Sequence, residues 1–257
     1  MKATRVFSFS GKGGSGKTTT ASLMLAALIR GRHFRDILVI DADPDANLSR
    51  TLRIPAEKTV GQVVDQRRKE LRDAAAKGTR LRFSLWDSIQ HSESFDFLVM
   101  GRTTGEGCYC AVHSALTENL TETLAMYDLV LMDFDAGLEH FSRRTGNPAD
   151  TLLIHCDPSR LSFDTAQRIA DLVRELSLPY ERIYLVGSRF PLEAEDIFYK
   201  LAKETGIEAL GIIPHDPEVA ARNLSGEDLL SLDDGNPALQ AAGLMLKKLI
   251  KETICSK

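Results

Sequence analysis

Gly11-Lys-Gly-Gly-Ser-Gly-Lys-Thr18, lying between the apolar run Val6 to Phe9 and a helix-forming stretch from Thr18 to about Arg30, decides how the rest of the chain is read. It satisfies the pattern G-x-x-x-x-G-K-[ST], and a strand before it with a helix after it is the context that the pattern requires. Gly11, Gly13, Gly14 and Gly16 let the backbone take positive φ and approach an anion closely, while successive N–H groups and the helix N-terminus face it. The expectation is a triphosphate-binding loop running through Ser15 to Thr19. In it Lys17 reaches the β- and γ-phosphates, and Thr18 places its hydroxyl on Mg²⁺, a hard cation that takes oxygen ligands beside phosphate oxygens.

Working outward, further apolar runs of strand length follow at Ile37 to Ile40, Phe97 to Met100, Leu129 to Met132, Leu152 to Ile154, Ile183 to Val186 and Leu210 to Ile213. Helical patterns separate most of them. Continuous apolar strands alternating with helices predict an α/β fold, doubly wound, with a mostly parallel sheet covered on both faces. The whole chain, 1–257, is expected to be a single P-loop domain with a polar helical insertion at about 57–94, where Asp65-Gln-Arg-Arg-Lys-Glu70 suggests a solvated helix. Near the C-terminus, Asn236-Pro237 is a good helix start, with Leu239, Ala242, Leu246 and Leu249 on one face. The simple reading packs that face on the sheet domain, and the other lays the helix on a membrane surface.

Composition bounds the function. The 257 residues are 43% hydrophobic and 26% charged, ordinary for a folded protein, and the net charge is only −4. No long Lys/Arg run pulls the chain toward nucleic acid or an anionic membrane, so either contact would need a local patch, and no nucleic-acid partner is expected. The N-terminus lacks a signal-peptide core and no window approaches the roughly eighteen apolar residues of a membrane span, so the expected compartment is the cytoplasm. Thiols stay reduced there. Of four cysteines, Cys156 and Cys255 are isolated, whereas Cys108 and Cys110 sit one residue apart in Gly105-Glu-Gly-Cys-Tyr-Cys110.

Two acidic clusters accompany the loop. Asp41, Asp43 and Asp45 follow the run Ile37 to Ile40, and Leu129-Val-Leu-Met-Asp133 is an apolar strand ending in an acid. Carboxylates at the C-terminal ends of strands beside a phosphate loop sit where an α/β sheet puts its ligand chemistry. Asp43 is the candidate for positioning the attacking water, Asp41 supports the metal site from its strand end, and Asp133 holds Mg²⁺ through water. Any one of these acids alone could instead be a cap or turn residue.

Lys12, directly after the first glycine, resembles the signature lysine of the MinD, ParA and nitrogenase iron-protein branch of P-loop ATPases, the deviant Walker A type. The resemblance implies ATP or ADP as nucleotide. It also implies a homodimer in which Lys12 reaches across to the partner's nucleotide, so that Lys12, Lys17 and Asp43 carry hydrolysis. Catalysis would then be positioning and charge neutralisation.

Spacing alone leaves the cysteine pair open between metal ligands, a redox pair and buried hydrophobes. One Cys-x-Cys supplies at most two thiolates, and a two-fold axis would supply the other two. Gly101-Arg-Thr-Thr-Gly-Glu-Gly-Cys-Tyr-Cys110, with Asp133-Phe-Asp-Ala-Gly-Leu-Glu-His140, Asp41-Ala-Asp-Pro-Asp-Ala-Asn-Leu48, Asp157-Pro-Ser159 and Gly211-Ile-Ile-Pro-His-Asp216, resembles the CooC-type nickel-insertion ATPases that mature carbon monoxide dehydrogenase. That resemblance makes Cys108 and Cys110 ligands of one Ni²⁺ or Zn²⁺ in a four-cysteine site shared by two subunits, and the partner a client nickel metalloenzyme. Where the family commonly has an adenine-reading asparagine, this chain has Gly187-Ser188-Arg189. Ser188 offers one hydrogen bond instead of an amide pair, and Pro214 to Asp216 are expected to touch the base. Two rivals remain: an iron-sulfur electron-transfer ATPase resembling nitrogenase iron protein, and a MinD- or ParA-like positioning ATPase.

Overall fold

The structure, a computed structural model, describes residues 4–63, 65–66, 85–102, 120, 122–134 and 150–254. Its centre is an eight-stranded sheet. The strands are β1 (Arg5–Gly11), β2 (Ile37–Asp41), β3 (Ile89–His91), β4 (Asp96–Val99), β5 (Leu129–Asp133), β6 (Thr151–Cys156), β7 (Arg182–Phe190) and β8 (Glu208–Pro214). The helices are α1 (Lys17–Gly31), α2 (Asn47–Thr51), α3 (Arg160–Glu175), α4 (Glu195–Thr205), α5 (Pro217–Ser225) and α6 (Pro237–Ile254). The strand order is β3-β4-β2-β5-β1-β6-β7-β8, and every pairing is parallel except β3 with β4.

The apolar runs are continuous because both faces of the sheet are covered. Alternate strand residues face opposite ways. Phe7, Phe9, Val39 and Leu131 therefore join α1 and α6 in one core, while Val6, Leu38, Ile40 and Met132 enter a second and Leu152, Ile154 and Leu185 join α3 and α4 in a third. All seven expected strands are present. The eighth, β3, was not expected, and it lies within the 57–94 stretch that composition marked as a polar helix. Val60 and Val63 there are helical and buried in the second core, whereas 67–70 of the expected helix lie outside the described residues.

Helix α6 takes the packed arrangement. Its entry is capped by Asn236, whose Oδ1 accepts from the Leu239 N–H at 3.1 Å. Leu239, Ala242, Leu246 and Leu249 are buried against α1 and the sheet. Among the described residues no helix is long and apolar enough to cross a membrane.

Candidate functional site

Strand β1 lies mid-sheet between β5 and β6, so its C-terminal end opens where connections diverge to either side. The glycine-rich loop turns there, packed onto the ends of β6 and β7. At Gly11 φ is +141°, and a Cβ would lie 2.5 Å from the His155 carbonyl oxygen. At Gly16 φ is +97°, and a Cβ would lie 2.8 Å from Ser188 Oγ. Both positions exclude a side chain by conformation and by contact. Gly13 departs from the expectation, since it is outside the positive-φ region and a Cβ there would meet nothing within 4 Å.

The two loop lysines part company. Lys17, 7% exposed, folds back so that Nζ donates to the carbonyls of Gly11 and Lys12, each at 3.3 Å. It lines a cleft of about 640 Å³ with Gly13, Gly14, Gly16, Thr18 and Thr19. Lys12 does not line that cleft; it points to Asp157, with Nζ 3.8 Å from Oδ2. Asp157 also faces Arg189, whose guanidinium donates to the Gly14 carbonyl. Arg189 thus braces the loop from β7 while lining the cleft.

Acids gather below Thr18. Asp41 and Asp133 are register partners on β2 and β5, and both are buried. Burial first of all pushes Asp41 up to about 7, against backbone hydrogen bonds from Ser49 and Asp43 that favour its charged form. Asp133 also rises to about 7, again chiefly by burial, with Asp41 and Asp43 adding to it while Thr18 and Lys17 oppose. Neither Asp133 oxygen has a hydrogen-bond partner of ordinary length among the described residues. A buried carboxylate with no such partner costs free energy that a cation would recover. A hydroxyl and two carboxylates form the oxygen donor set that suits Mg²⁺, so the residues fit that ion.

Asp43 lines the cleft, and its carboxylate accepts from the Asp45 N–H at 2.8 Å and from the Asn47 amide. The far wall comes from Pro214, His215 and Asp216 with Val219 and Asn223 of α5. Asp216 caps α5, its Oδ1 accepting from the Val219 N–H at 2.9 Å, and its Oδ2 accepts from Asn236 at 3.1 Å. Its side chain is therefore occupied, and what it offers a base is backbone. Ser188 is 2% exposed beneath Gly16 and is not among the cleft-lining residues, so its hydroxyl faces the loop rather than the expected base site. Ser15 is fully buried and contributes its N–H to the Lys12 carbonyl at 3.1 Å.

Cys108 and Cys110 lie outside the described residues. Among those described, no group of three or more His, Cys, Asp or Glu side chains is placed to hold a metal. Sequence reasoning assigned no role to Asp157, Asn47 or Asn223. Asp157 sits in a quoted motif but meets Lys12 only through the folded sheet, whereas Asn47, four residues after Asp43, was within reach of a local argument. His155 is buried and pushed down to about 3, first by burial and then by Lys17, so it is a neutral wall group.

Residues 6–230 match the family model described as the CobQ/CobB/MinD/ParA nucleotide binding domain. The chain is 35% identical to an uncharacterized ATP-binding protein of Methanocaldococcus jannaschii, covering 96% of this chain and 99% of that one. It is 31% identical to the carbon monoxide dehydrogenase accessory protein CooC of Rhodospirillum rubrum, covering 95% of each. Among solved structures it resembles a ParA family ATPase from Chlorobium tepidum, with TM-score 0.74 and 22% identity over 97% of this chain and 100% of that one. It also resembles the MinD cell division protein of Aquifex aeolicus, with TM-score 0.69 and 21% identity over 96% and 97%. At these identities the two structures speak for the fold.

Proposed function

The chain belongs to the CobQ/CobB/MinD/ParA nucleotide-binding family, and we propose that it is a dimeric, ATP-hydrolysing metallochaperone that delivers nickel to a carbon monoxide dehydrogenase or acetyl-CoA synthase type of enzyme. The observation that carries the reading is the parting of the two loop lysines. Lys17 is committed to its own loop and cleft, whereas Lys12 stands at the rim, a third exposed and away from its own cleft. A cation directed away from its own cleft supports the reading in which it serves a nucleotide across an interface.

In this reading the loop N–H groups and Lys17 hold the phosphates, and Asp43 orients the water that attacks the γ-phosphorus. The partner subunit's Lys12 balances charge on the transferring group. Thr18, with Asp41 and Asp133 behind it, would hold Mg²⁺, which neutralises phosphate charge when bound. Gly13, Gly14, Gly16 and Arg189 shape the phosphate end of the site, and the backbone from Pro214 to Asp216 meets the base.

The cargo assignment rests on Cys108 and Cys110. Two pairs meeting on a two-fold axis supply four thiolates, a donor set that suits Ni²⁺ or Zn²⁺. Similarity to a relative named as a carbon monoxide dehydrogenase accessory protein, covering nearly all of both chains, supports nickel delivery. The test is metal titration of the reduced protein, wild type against Cys108→Ala and Cys110→Ala, with mass followed in ADP and in ATP. The reading expects one metal per dimer, lost in both variants. Unchanged stoichiometry in the variants overturns the cargo assignment, and a brown protein carrying iron would replace it with electron transfer.

A further inference from the structure

We infer that Arg102 is a positioning residue for hydrolysis, setting the direction of the Asp43 carboxylate through Asp45. The inference rests on the reading above that Asp43 orients the attacking water.

The end of β2 and the loop that follows it carry Asp41, Asp43 and Asp45 within five residues, so like charges repel along them. Among the described residues Asp43 is held from this loop and the first residue of α2. One carboxylate oxygen takes the Asp45 N–H at 2.8 Å, the other takes the Asn47 amide, and its carbonyl takes the Ala46 N–H at 3.0 Å. The Asp45 backbone therefore shares with the Asn47 amide in setting where the Asp43 carboxylate points.

Asp45 has little of its own to fix it. Its side chain is 53% exposed, and the ion pair recorded for it joins it to Arg102. Arg102, by contrast, hangs from a fixed backbone. Met100 N–H donates to the Asp41 carbonyl at 2.9 Å, tying the end of β4 to the end of β2. Gly101 follows with φ +62°, where a Cβ would lie 2.6 Å from Thr59. Arg102 is not among the residues lining the nucleotide cleft, so its action on the reaction passes through Asp45.

With both partners more than half exposed, the pair is weak in energy and open to salt. It acts by orientation, and a small misplacement of a water-orienting carboxylate is felt in turnover. That sets the signature: kcat moves, KM barely moves, and the effect fades as ionic strength rises.

The experiment is steady-state ATP hydrolysis by the full chain between about 0.05 and 0.5 M salt, comparing wild type, Arg102→Ala, Arg102→Lys, Asp45→Asn and the Arg102→Ala/Asp45→Asn double variant. At low salt Arg102→Ala is expected to lose about three- to tenfold in kcat with KM within about twofold, and Arg102→Lys to recover part. Wild type should fall toward Arg102→Ala as salt rises. The double variant should lose no more than either single change, since residues acting as one unit are not additive. Wild-type kcat in Arg102→Ala at low salt, or losses that add in the double variant, overturns the inference. An Asp43→Ala control separates the levels. If it retains turnover the reading of Asp43 falls, whereas if it is inactive while Arg102→Ala is normal, only the role of Arg102 falls.

Discussion

Two residues carry the sharpest consequences of the site. At Gly16 a methyl group would meet Ser188 at 2.8–2.9 Å in a backbone region that L-residues avoid. Gly16→Ala is expected to cost about 1–3 kcal/mol in denaturant unfolding and to remove nucleotide binding. Ser188→Gly in the same chain should return only part of the stability, because the φ strain remains. Asp133 gives a dependence on pH. Its folded-state pKa of about 7 stands above the usual 3.8, so the folded apo chain holds a proton that the unfolded chain has released. That contribution to stability is complete below about pH 4 and is lost as pH rises through about 7. Asp133→Asn should therefore outlast wild type in denaturant at pH 8 by more than at pH 4, while losing Mg²⁺-dependent hydrolysis. Binding of Mg²⁺-nucleotide at pH 6 should expel protons from wild type, and calorimetry in buffers of different ionisation enthalpy reads this. A binding heat that does not depend on buffer contradicts the coupling.

Among the elements, α6 and β3 mark what the chain reveals in one dimension. The start of α6 was legible because a cap is local. Asn236, the proline after it and the buried face at 239, 242, 246 and 249 all lie within a few turns. Asn236→Ala removes that cap and also the donor to Oδ2 of Asp216, the residue whose Oδ1 caps α5. The expected cost is about 1–2 kcal/mol in thermal or denaturant unfolding; a change below about 0.3 kcal/mol would mean that the Asn236 cap does not matter. The positions of the glycine loop and of the acids at the ends of β2 and β5 were legible for the same reason, since each lies in a short local pattern. Strand β3 was not, because three residues, of which only Ile89 is buried, give no period to read. Ser188 was expected at the base and lies under Gly16 instead, and Asp157 meets Lys12 from 145 residues away in the chain. Both follow from how strands lie side by side, which no local pattern encodes. The same reason kept Arg102 out of the sequence-based site, since its partner Asp45 belongs to another strand end.

At the scale of the whole molecule, the account turns on a second copy. In the proposed reading each chain keeps Lys17 and lends Lys12, so a second copy completes the site. To act as a switch, nucleotide must favour the paired state strongly, and moving an equilibrium from 1:99 to 99:1 takes about 5.5 kcal/mol of differential binding. In the proposed reading, contacts made by Lys12 only in the paired state contribute to that difference. Lys12→Ala should therefore bind ATP within a few-fold of wild type yet fail to pair and to hydrolyse, whereas Lys17→Ala should lose affinity itself. The most direct measurement is ATPase activity per protomer across a range of protein concentration, with molecular mass recorded on the same samples. The account predicts activity rising with the fraction of paired chains and approaching zero where the mass is that of one. Constant activity per protomer, down to concentrations at which the protein is a single chain, would contradict it.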